Sequence, residues 1–157
     1  IPGLRLAQKY AVRVGGGANH RVGLYDGILI KENHIATAGG VTAALKDAYA
    51  IVAAPDVAAR PEAPFIQIEV ERLDQLTEAL QAGAKMVLLD NMTHEQIAEA
   101  VRINRDQFNG QAVLEVSGNV SLDNIRSYAE LGVDRISSGS LTKHIRATDY
   151  SMRVNAV

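Results

Sequence analysis

The sequence alternates five short apolar runs, rich in Val and Ile, with longer stretches in which apolar residues recur at helical spacing. Runs of this length predict buried strands, and we place them at GILIK (27–31), FIQIEV (65–70), KMVLLD (85–90), AVLEVS (112–117) and DRISSG (134–139). Helical stripes follow at residues 73–80, 97–103 and 125–131. Repeated strand–helix units with short links predict a parallel α/β sheet. Because the strands are almost continuously apolar, helices are expected to cover them.

Local signals refine these boundaries. Thr93 and Gln96 have the spacing of a capping box at a helix start, and Gly83 and Gly132 stand where a helix would end. The segments EALQAGAKMVLLDN and YAELGVDRISSGS share one order of helix, glycine, charged residue, strand and polar tip, which is a weak internal repeat. Residues 52–64 are rich in Ala and Pro, and we predict a long loop there.

Composition bounds the class of protein. A chain of 157 residues suits a single domain, and a net charge of −2 argues against general attraction to nucleic acids or membranes. The sequence contains no cysteine, which excludes disulfides, thiolate metal sites and cysteine nucleophiles. No apolar run approaches the ~18 residues of a membrane span. We therefore expect a cytoplasmic protein.

Polar residues stand at the carboxyl end of every predicted strand. They comprise one cation, two carboxylates and two Ser/Gly turns: Lys31, Glu69, Asp90, Ser117-Gly118-Asn119 and Ser138-Gly139-Ser140. The carboxyl ends of parallel strands lie on one face, where barrel enzymes have their sites, so these residues are predicted to converge. Each has a plainer interpretation. Asp90 can cap the next helix, Lys31 can reach solvent, the turns can be only turns, and Glu69 can share a solvated face with Gln67 and Glu71. In a closed barrel that same face would be the interior, and the three polar residues would mark a site.

The residue types indicate the ligands of such a pocket. Barrel enzymes often bind phosphate between their last two strand–helix loops, which here are SGN and SGS. Glu69 and Asp90 suit ribose hydroxyls or Mg²⁺, which prefers oxygen ligands. His20, Arg21 and Lys31 suit an anionic substrate. We predict a pocket for a phosphorylated sugar and a second, polyanionic substrate.

Longer motifs resemble one family. The segment PGLRLAQKYAVRVGGGANHRVGLYDGILIKENHI is very similar to the signature of the nicotinate-nucleotide pyrophosphorylases (carboxylating), also called quinolinate phosphoribosyltransferases. IEVE, LLDN, EVSGN and GSLTKH follow in the family's order, so the resemblance extends over residues 1–157.

The resemblance implies a reaction, a fold and a site. Family members convert quinolinate and phosphoribosyl pyrophosphate, with Mg²⁺, to nicotinate mononucleotide, pyrophosphate and CO₂. The implied fold is an incomplete, TIM-like α/β barrel preceded by an α/β sandwich domain. His20 and Arg21 would bind the quinolinate carboxylates, with Lys31 lining the same cationic site. Glu69 and Asp90 would hold the ribose hydroxyls and Mg²⁺.

The remaining implied contacts are to phosphate. Both Ser/Gly turns, Ser117-Gly118-Asn119 and Ser138-Gly139-Ser140, would cradle it, and Lys143 or His144 would reach it. Lys31, Glu69 and Asp90 are the residues we expect to be catalytic. Positioning and charge neutralisation suffice for this chemistry, and no protein nucleophile is expected.

One departure from the family pattern is large. The Thr-Arg-Lys-Thr motif, the first barrel strand and the sandwich domain of the family have no counterpart in the 157 residues. We therefore expect this chain alone to be inactive, and the full-length protein to be a homodimer or a higher homo-oligomer. The alternatives are a phosphoribosyltransferase for another base, a non-catalytic truncated fragment, and a phosphate-binding barrel domain with Glu69 and Asp90 as an acid/base pair.

Overall fold

In a computed structural model that describes residues 2–60, 64–144 and 146–155, the five predicted strands form one parallel sheet. The strand order along the sheet follows the order along the chain. The strands are β1 (Gly27–Ile30), β2 (Phe65–Val70), β3 (Met86–Asp90), β4 (Val113–Ser117) and β5 (Arg135–Ile136). Among the described residues no strand pairs with the outer edge of β1 or β5, so the sheet is an open part of a barrel.

Eight helices connect and flank these strands within the described residues. They are α1 (Arg5–Val14), α2 (Glu32–Ala38), α3 (Val41–Ala53), α4 (Pro55–Ala58), α5 (Leu73–Gln81), α6 (His94–Phe108), α7 (Ile125–Ala129) and α8 (Ser140–Lys143). None of them is long and apolar enough to cross a membrane.

The hydrophobic core lies between one face of the sheet and the helices. Alternate residues of β2, namely Ile66, Ile68 and Val70, point to this face, and Ile68 and Val70 are fully buried. The helices contribute Leu45 from α3, Leu76 and Leu80 from α5, and Ile97 from α6, all almost completely buried. Burying a large aliphatic side chain stabilises the fold by about 1.5–3 kcal/mol, so this layer holds the sheet in place.

The register sets which residues share the opposite, inner face. Leu29 of β1 pairs with Gln67 of β2, and Glu69 of β2 pairs with Leu88 of β3. Leu88 in turn pairs with Glu115 of β4. Because residues in register point to the same side of a sheet, the polar side chains of β2 and β4 lie together on this inner face.

The predicted helix signals at α5 and α6 are confirmed. Thr93 Oγ1 accepts from the Gln96 N–H and Gln96 Oε1 accepts from the Thr93 N–H, which completes a capping box at the start of α6. Gly83 follows the last turn of α5 with φ of +84°. This left-handed conformation is the one that glycine adopts at low cost at a helix end.

Three parts of the chain differ from the sequence prediction. The 52–64 stretch is not one long loop, because α3 ends at Ala53 and Pro55 begins α4; residues 61–63 of that prediction lie outside the described residues. Strand β5 keeps only two of its six predicted residues. Helices α1 to α4 and the single-turn α8 were not predicted. Helix α1 carries an apolar stripe at Leu6, Tyr10 and Val14, but these side chains are exposed and do not pack on the sheet.

Candidate functional site

The carboxyl edge of the sheet brings the first cation and the first carboxylate together. Lys31 directly follows β1 and Glu69 is the fifth residue of β2, and the register of these two strands places them side by side. Lys31 Nζ lies 3.3 Å from Glu69 Oε2. Lys31 therefore reaches across the edge to Glu69, and is not simply extended into solvent.

Glu69 is in an environment that disfavours its charge. Its side chain is only 11% exposed, and this burial raises the pKa of its carboxyl group. Lys31 acts in the opposite direction, whereas the carboxylates of Asp90 and Glu32 add to the rise in pKa. Asp90 is thus close enough for the two strand-end carboxylates to repel each other, as expected for two members of one site.

Asp90 ends β3 in register with Ser117, which ends β4. The Asn91 side chain donates to Asp90 Oδ2 through Nδ2 at 2.8 Å, and the Asn91 N–H donates to the Ser117 carbonyl at 3.1 Å. Asn91 adopts φ of +51° to do this, a conformation that Asn tolerates better than most residues. It orients the Asp90 carboxylate against the Ser117 turn.

Gly118 cannot be replaced without moving this arrangement. Its φ is +100°, and a Cβ atom there would lie 2.3 Å from Asn91 Oδ1. Asn119 also has a positive φ, of +51°. The chain therefore turns sharply between Ser117 and Val120, with its backbone close to the Asp90–Asn91 pair.

The two Ser/Gly turns are neighbours in space, as predicted. Ser138 Oγ donates to the Val120 carbonyl at 2.8 Å, which ties the turn after β5 to the turn after β4. Ser138 Oγ also lies 2.7 Å from Ser140 Oγ and accepts from the Ser140 N–H at 3.3 Å. Gly139 sits between these two serines as the residue before α8.

Lys143 and His144, the alternatives for a phosphate contact, lie at the end of α8 and are exposed. A Cβ atom built on Gly139 would lie 3.7 Å from Lys143 Cε. The Lys143 side chain therefore folds back over the Ser138–Ser140 turn. This placement favours Lys143 over His144 as the residue that contributes positive charge next to the turn.

Arg21 is placed differently from the prediction that His20 and Arg21 line the same site as Lys31. Arg21 Nη1 donates to the Gly27 carbonyl at 3.2 Å, and Gly27 begins β1, whereas Lys31 follows its end. Four residues of strand span roughly 13 Å. The Arg21 guanidinium is thus at the amino end of β1, because the backbone of this segment is fixed to α1.

Two side chains of α1 make that attachment. Lys9 Nζ donates to the His20 carbonyl at 2.6 Å, and the Arg5 guanidinium donates to the carbonyls of Val22 and Arg21. Burial lowers the pKa of the Lys9 ammonium, and the Arg5 charge lowers it further. An open groove of about 630 Å³ runs along the same segment, away from the strand ends, lined by Arg5, Leu6, Arg21, Val22, Gly23, Leu24 and Tyr25.

His20 points to the inner face of the sheet. Its Nε2 lies 2.7 Å from Gln67 Oε1, and its ring meets the Phe65 ring edge-on with centroids 5.5 Å apart. Gln67 Nε2 donates to Glu115 Oε2 at 3.0 Å, and Ser137 Oγ donates to Glu115 Oε1. We call these four residues, His20, Gln67, Glu115 and Ser137, the interior chain.

Sequence reasoning placed Gln67 on one face of β2 with Glu69 and Glu71, either solvated or inside a barrel, and did not single out Glu115 or Ser137. Gln67 is fully buried and Glu115 is 3% exposed. The signal that identified Glu69, a polar residue inside an apolar run, is equally present at Glu115 in AVLEVS. Their partnership could not be predicted, because β2 and β4 are not adjacent strands.

The carboxylates at the strand ends could contribute ligands to a metal ion. Within the described residues no group of three or more His, Asp and Glu side chains has the arrangement of a metal site. Glu69 and Asp90 are nevertheless a suitable donor pair for Mg²⁺, which commonly takes one or two protein carboxylates and completes its shell with water and substrate phosphate oxygens. The donor set fits a magnesium ion that arrives with a phosphorylated substrate.

Comparison with known proteins decides the family. Residues 1–153 match the model of the quinolinate phosphoribosyl transferase C-terminal domain. The chain belongs to this family. Its α/β class and its parallel sheet are those expected for the barrel domain, and the predicted resemblance is confirmed.

Several curated relatives match almost the whole chain in sequence. The chain is 44% identical over 152 residues to nicotinate-nucleotide pyrophosphorylase [carboxylating] of Mycobacterium leprae, covering 97% of this chain and 50% of that protein. The human protein of the same name is 37% identical over 158 residues, covering 99% and 49%.

Solved structures of proteins from this family are similar to the chain in fold. NadC from Streptococcus pyogenes has a TM-score of 0.85 at 41% identity, covering 98% of this chain and 50% of its own. The nicotinate-nucleotide pyrophosphorylase from Francisella tularensis has a TM-score of 0.80 at 49% identity, with coverage of 93% and 48%. The chain therefore spans about half the length of these relatives.

Proposed function

We propose that the protein carrying this chain transfers the phosphoribosyl group of phosphoribosyl pyrophosphate to quinolinate, releasing pyrophosphate and CO₂ and forming nicotinate mononucleotide. The family supports the reaction class. The observation that carries the proposal is the carboxyl edge, where the Lys31–Glu69 pair, Asp90 and two adjacent Ser/Gly turns line one end of the sheet.

Each group of residues has a role that its surroundings support. Glu69 and Asp90 accept hydrogen bonds from the ribose hydroxyls, and Lys31 opposes the rise in the pKa of Glu69 and orients its carboxyl group. The turns at Ser117–Asn119 and Ser138–Ser140 offer hydroxyls and close backbone to the phosphate, with Lys143 supplying positive charge. His20, on the inner face of the sheet, belongs to the quinolinate side of the site; Arg21 would join it only if its guanidinium left the Gly27 carbonyl at the amino end of β1.

The reaction mainly requires that the protein position the two substrates and stabilise the charge that develops on the ribose. When pyrophosphate leaves, it takes the electron pair of its bond to the anomeric carbon, and positive charge grows on the ribose. The quinolinate ring nitrogen then donates its pair to that carbon. Fixed carboxylates near the ribose stabilise the developing charge without rearranging during the step. Loss of CO₂ afterwards leaves an electron pair on a ring carbon, which takes up a proton.

Magnesium completes the proposal. Glu69 and Asp90 would hold the ion directly or through water, and it would neutralise charge on the pyrophosphate. Lys31 contributes a second positive charge at the same edge. The protein residues thus hold the ribose, and a bound magnesium ion would compensate the charge of the leaving group.

The proposal is tested by Asp90→Asn in the protein at its natural length. This change keeps the shape of the side chain and removes its charge. We expect kcat to fall by roughly 10²-fold or more, as for other groups that stabilise transition-state charge, and the Mg²⁺ concentration required for half-maximal rate to rise. Initial rates of nicotinate mononucleotide formation measure both.

Asp47→Asn on the exposed surface of α3 is the matched control and should keep the wild-type rate. Wild-type protein that forms no nicotinate mononucleotide from the two substrates would disprove the function. A normal rate and magnesium requirement in Asp90→Asn would instead disprove the role of Asp90.

A second candidate is transfer to a pyridine base with a single carboxylate. It is favoured by the Arg21 guanidinium, which donates to the Gly27 carbonyl at the far end of β1 and so leaves fewer cations at the strand ends. The ratio of kcat/KM for quinolinate to that for nicotinate decides between the two. A ratio well above one supports the first proposal, and the inverse ratio supports the second.

The proposal extends to the domain organisation, the oligomeric state and the cellular location of the protein. We propose that residues 1–157 form one barrel domain of a cytoplasmic enzyme that works as a homodimer or a higher homo-oligomer. The family match over residues 1–153 to a C-terminal domain supports the domain assignment. A row of exposed apolar residues on α1, including Leu6, Tyr10 and Val14, supports an interface.

A further inference from the structure

The turn that follows β4 is attached to the end of β3 by a single residue, Asn91. Asn91 comes directly after Asp90, and its backbone N–H donates to the Ser117 carbonyl at 3.1 Å, just beyond the last paired residues of the two strands. Its side-chain Nδ2 donates to Asp90 Oδ2 at 2.8 Å. Asn91 therefore contacts both the carboxylate that we assign to the ribose and the turn that we assign to the phosphate.

Gly118 packs against the same side chain. A Cβ atom on Gly118 would collide with Asn91 Oδ1 and would lie 3.1 Å from the Asn91 backbone nitrogen. The Asn91 amide thus lies against the bare backbone of the turn, with its nitrogen towards Asp90 and its oxygen towards Gly118. Moving this amide would change the position of the turn relative to the carboxylate.

The far side of the turn is held by contacts within its own loop. Asn124 Nδ2 donates to the Asn119 carbonyl at 3.0 Å, and Asn124 Oδ1 accepts from the Ser121 N–H at 2.8 Å. These hydrogen bonds keep the loop folded, but they involve no atom of Asp90. The contacts of Asn91 are the ones that relate the loop to the Asp90 carboxylate.

We propose that Asn91 is a positioning residue that sets the spacing between the Asp90 carboxylate and the Ser117–Asn119 turn. In a phosphoribosyl group the hydroxyls and the phosphate are joined covalently, so both are bound well only if the protein groups that hold them stand at a matching distance. Asn91 acts through Asp90 and the turn. The inference rests on the proposed function for the identity of the two ligand parts.

The spacing matters only for a ligand that occupies both places at once. Inorganic phosphate contacts the turn alone, whereas ribose 5-phosphate reaches the turn and Asp90 together and gains affinity from the link between its two parts. Loss of the correct spacing should therefore weaken binding of ribose 5-phosphate and leave binding of inorganic phosphate unchanged. A residue that only kept the loop folded would affect both ligands alike.

The proposal is tested by isothermal titration calorimetry of the protein at its natural length, with ribose 5-phosphate and separately with inorganic phosphate. Asn91→Gly removes the amide, and glycine adopts the φ of +51° found at this position at low cost. We expect the Kd of ribose 5-phosphate to rise roughly tenfold, as for loss of a hydrogen bond to a charged group. The Kd of inorganic phosphate should stay the same.

The matched control is Asn109→Gly. Asn109 also has a left-handed backbone, with φ of +53°, but it lies at the end of α6, so both Kd values should remain those of the wild type. If Asn91→Gly does not fold, Asn91→Ala decides alone, because it removes the same amide and leaves the backbone less flexible than glycine does. The same selective loss is expected for it.

Equal losses for the two ligands, or an unchanged Kd of ribose 5-phosphate in a folded Asn91 variant, would overturn the proposal. A wild-type protein that binds ribose 5-phosphate no more tightly than inorganic phosphate would overturn it as well, because no linked site would then exist. Both titrations are made without quinolinate. Their outcome is therefore separate from whether the protein forms nicotinate mononucleotide, which the rate measurements decide.

Discussion

At the scale of single residues, Glu69 is a buried carboxyl group whose charged form is disfavoured by its surroundings. Burial raises the pKa of its carboxyl group, although Lys31 lies 3.3 Å away. Keeping it charged at neutral pH therefore costs free energy of folding. A carboxylate held in this way is only partly compensated, and it is suited to bind a ligand hydroxyl or cation that completes its partners.

This cost gives a pH-dependent prediction for Glu69→Gln. The folded pKa of Glu69 lies above its unfolded value, so the stability it contributes is present below about pH 4.3 and is lost as pH rises through the folded pKa. The glutamine variant avoids that loss. Its free energy of unfolding, relative to the wild type, should become more favourable from acidic to neutral pH.

Urea unfolding between about pH 4 and pH 7.5 measures the trend. Glu99→Gln is the control with the opposite sign, because its Arg102 partner lowers the pKa of the Glu99 carboxyl. That variant should lose stability relative to the wild type as pH rises. A flat or reversed profile for Glu69→Gln would show that burial does not govern this carboxyl group.

Residue types at the strand ends could be predicted from the sequence, but their partners could not. Lys31, Glu69 and Asp90 follow directly from apolar runs that stop at polar residues. The position of Arg21 could not be predicted, because it depends on Arg5 and Lys9 of α1 holding the backbone of its segment. Contacts made between distant segments leave no spacing that a sequence pattern can reveal.

At the scale of elements, α3 begins without a side-chain cap of its own. Gly40 precedes it, and the cap comes from α5, where Glu78 Oε1 accepts from the Thr42 N–H at 2.9 Å and the Thr42 hydroxyl at 2.8 Å. An acidic group at a helix start satisfies a free N–H and interacts favourably with the helix dipole. One residue thus couples two helices that cover the same face of the sheet.

We expect Glu78→Ala to destabilise the protein by about 0.5–2 kcal/mol, the range for loss of a helix cap. Glu78→Gln retains the oxygen acceptor and should lose less. Thermal or urea unfolding measures both. Glu99→Ala, which removes an exposed ion pair with Arg102, should destabilise the protein less, because exposed ion pairs contribute little to stability. An equal loss of stability in Glu78→Ala and Glu99→Ala would contradict the capping role of Glu78.

Elements were predictable where the pattern was strong and local. Strand β2 has the predicted bounds, Phe65–Val70, because its alternation is bounded by Pro64 and by the start of α5. Strand β5 is shorter than predicted: the Ser137 N–H still donates to the Val116 carbonyl of β4, but the side chains of Ser137 and Ser138 bond to Glu115 and to the Val120 carbonyl, and the chain turns away after Ser137. Polar side chains with partners elsewhere override a strand propensity that is weak at this site.

At the scale of the whole molecule, the exposed side of α1 predicts an interface. Leu6, Tyr10 and Val14 are each more than 60% exposed, and such a row of apolar residues usually marks a contact surface. We expect the protein at its natural length to sediment at twice its monomer mass or more. Leu6→Glu should shift it towards the monomer, whereas Leu122→Glu, an exposed apolar residue far from α1 in the sequence, should not.

A monomer across micromolar concentrations in the wild type would contradict the proposed homo-oligomer. Dissociation by both variants alike would show that α1 has no special part in assembly. Sedimentation velocity at several concentrations separates these results.

The order of the strands has a consequence for how the chain is made. Each strand from β2 to β5 pairs with the strand before it in the sequence, so each of these strands finds a partner that has already been synthesised. Pairing with the preceding strand closes a shorter loop than pairing with a more distant one and costs less loop entropy, and domains fold from the amino terminus during synthesis. The sheet can therefore grow one strand at a time as the chain leaves the ribosome, each new strand meeting an edge that is already formed.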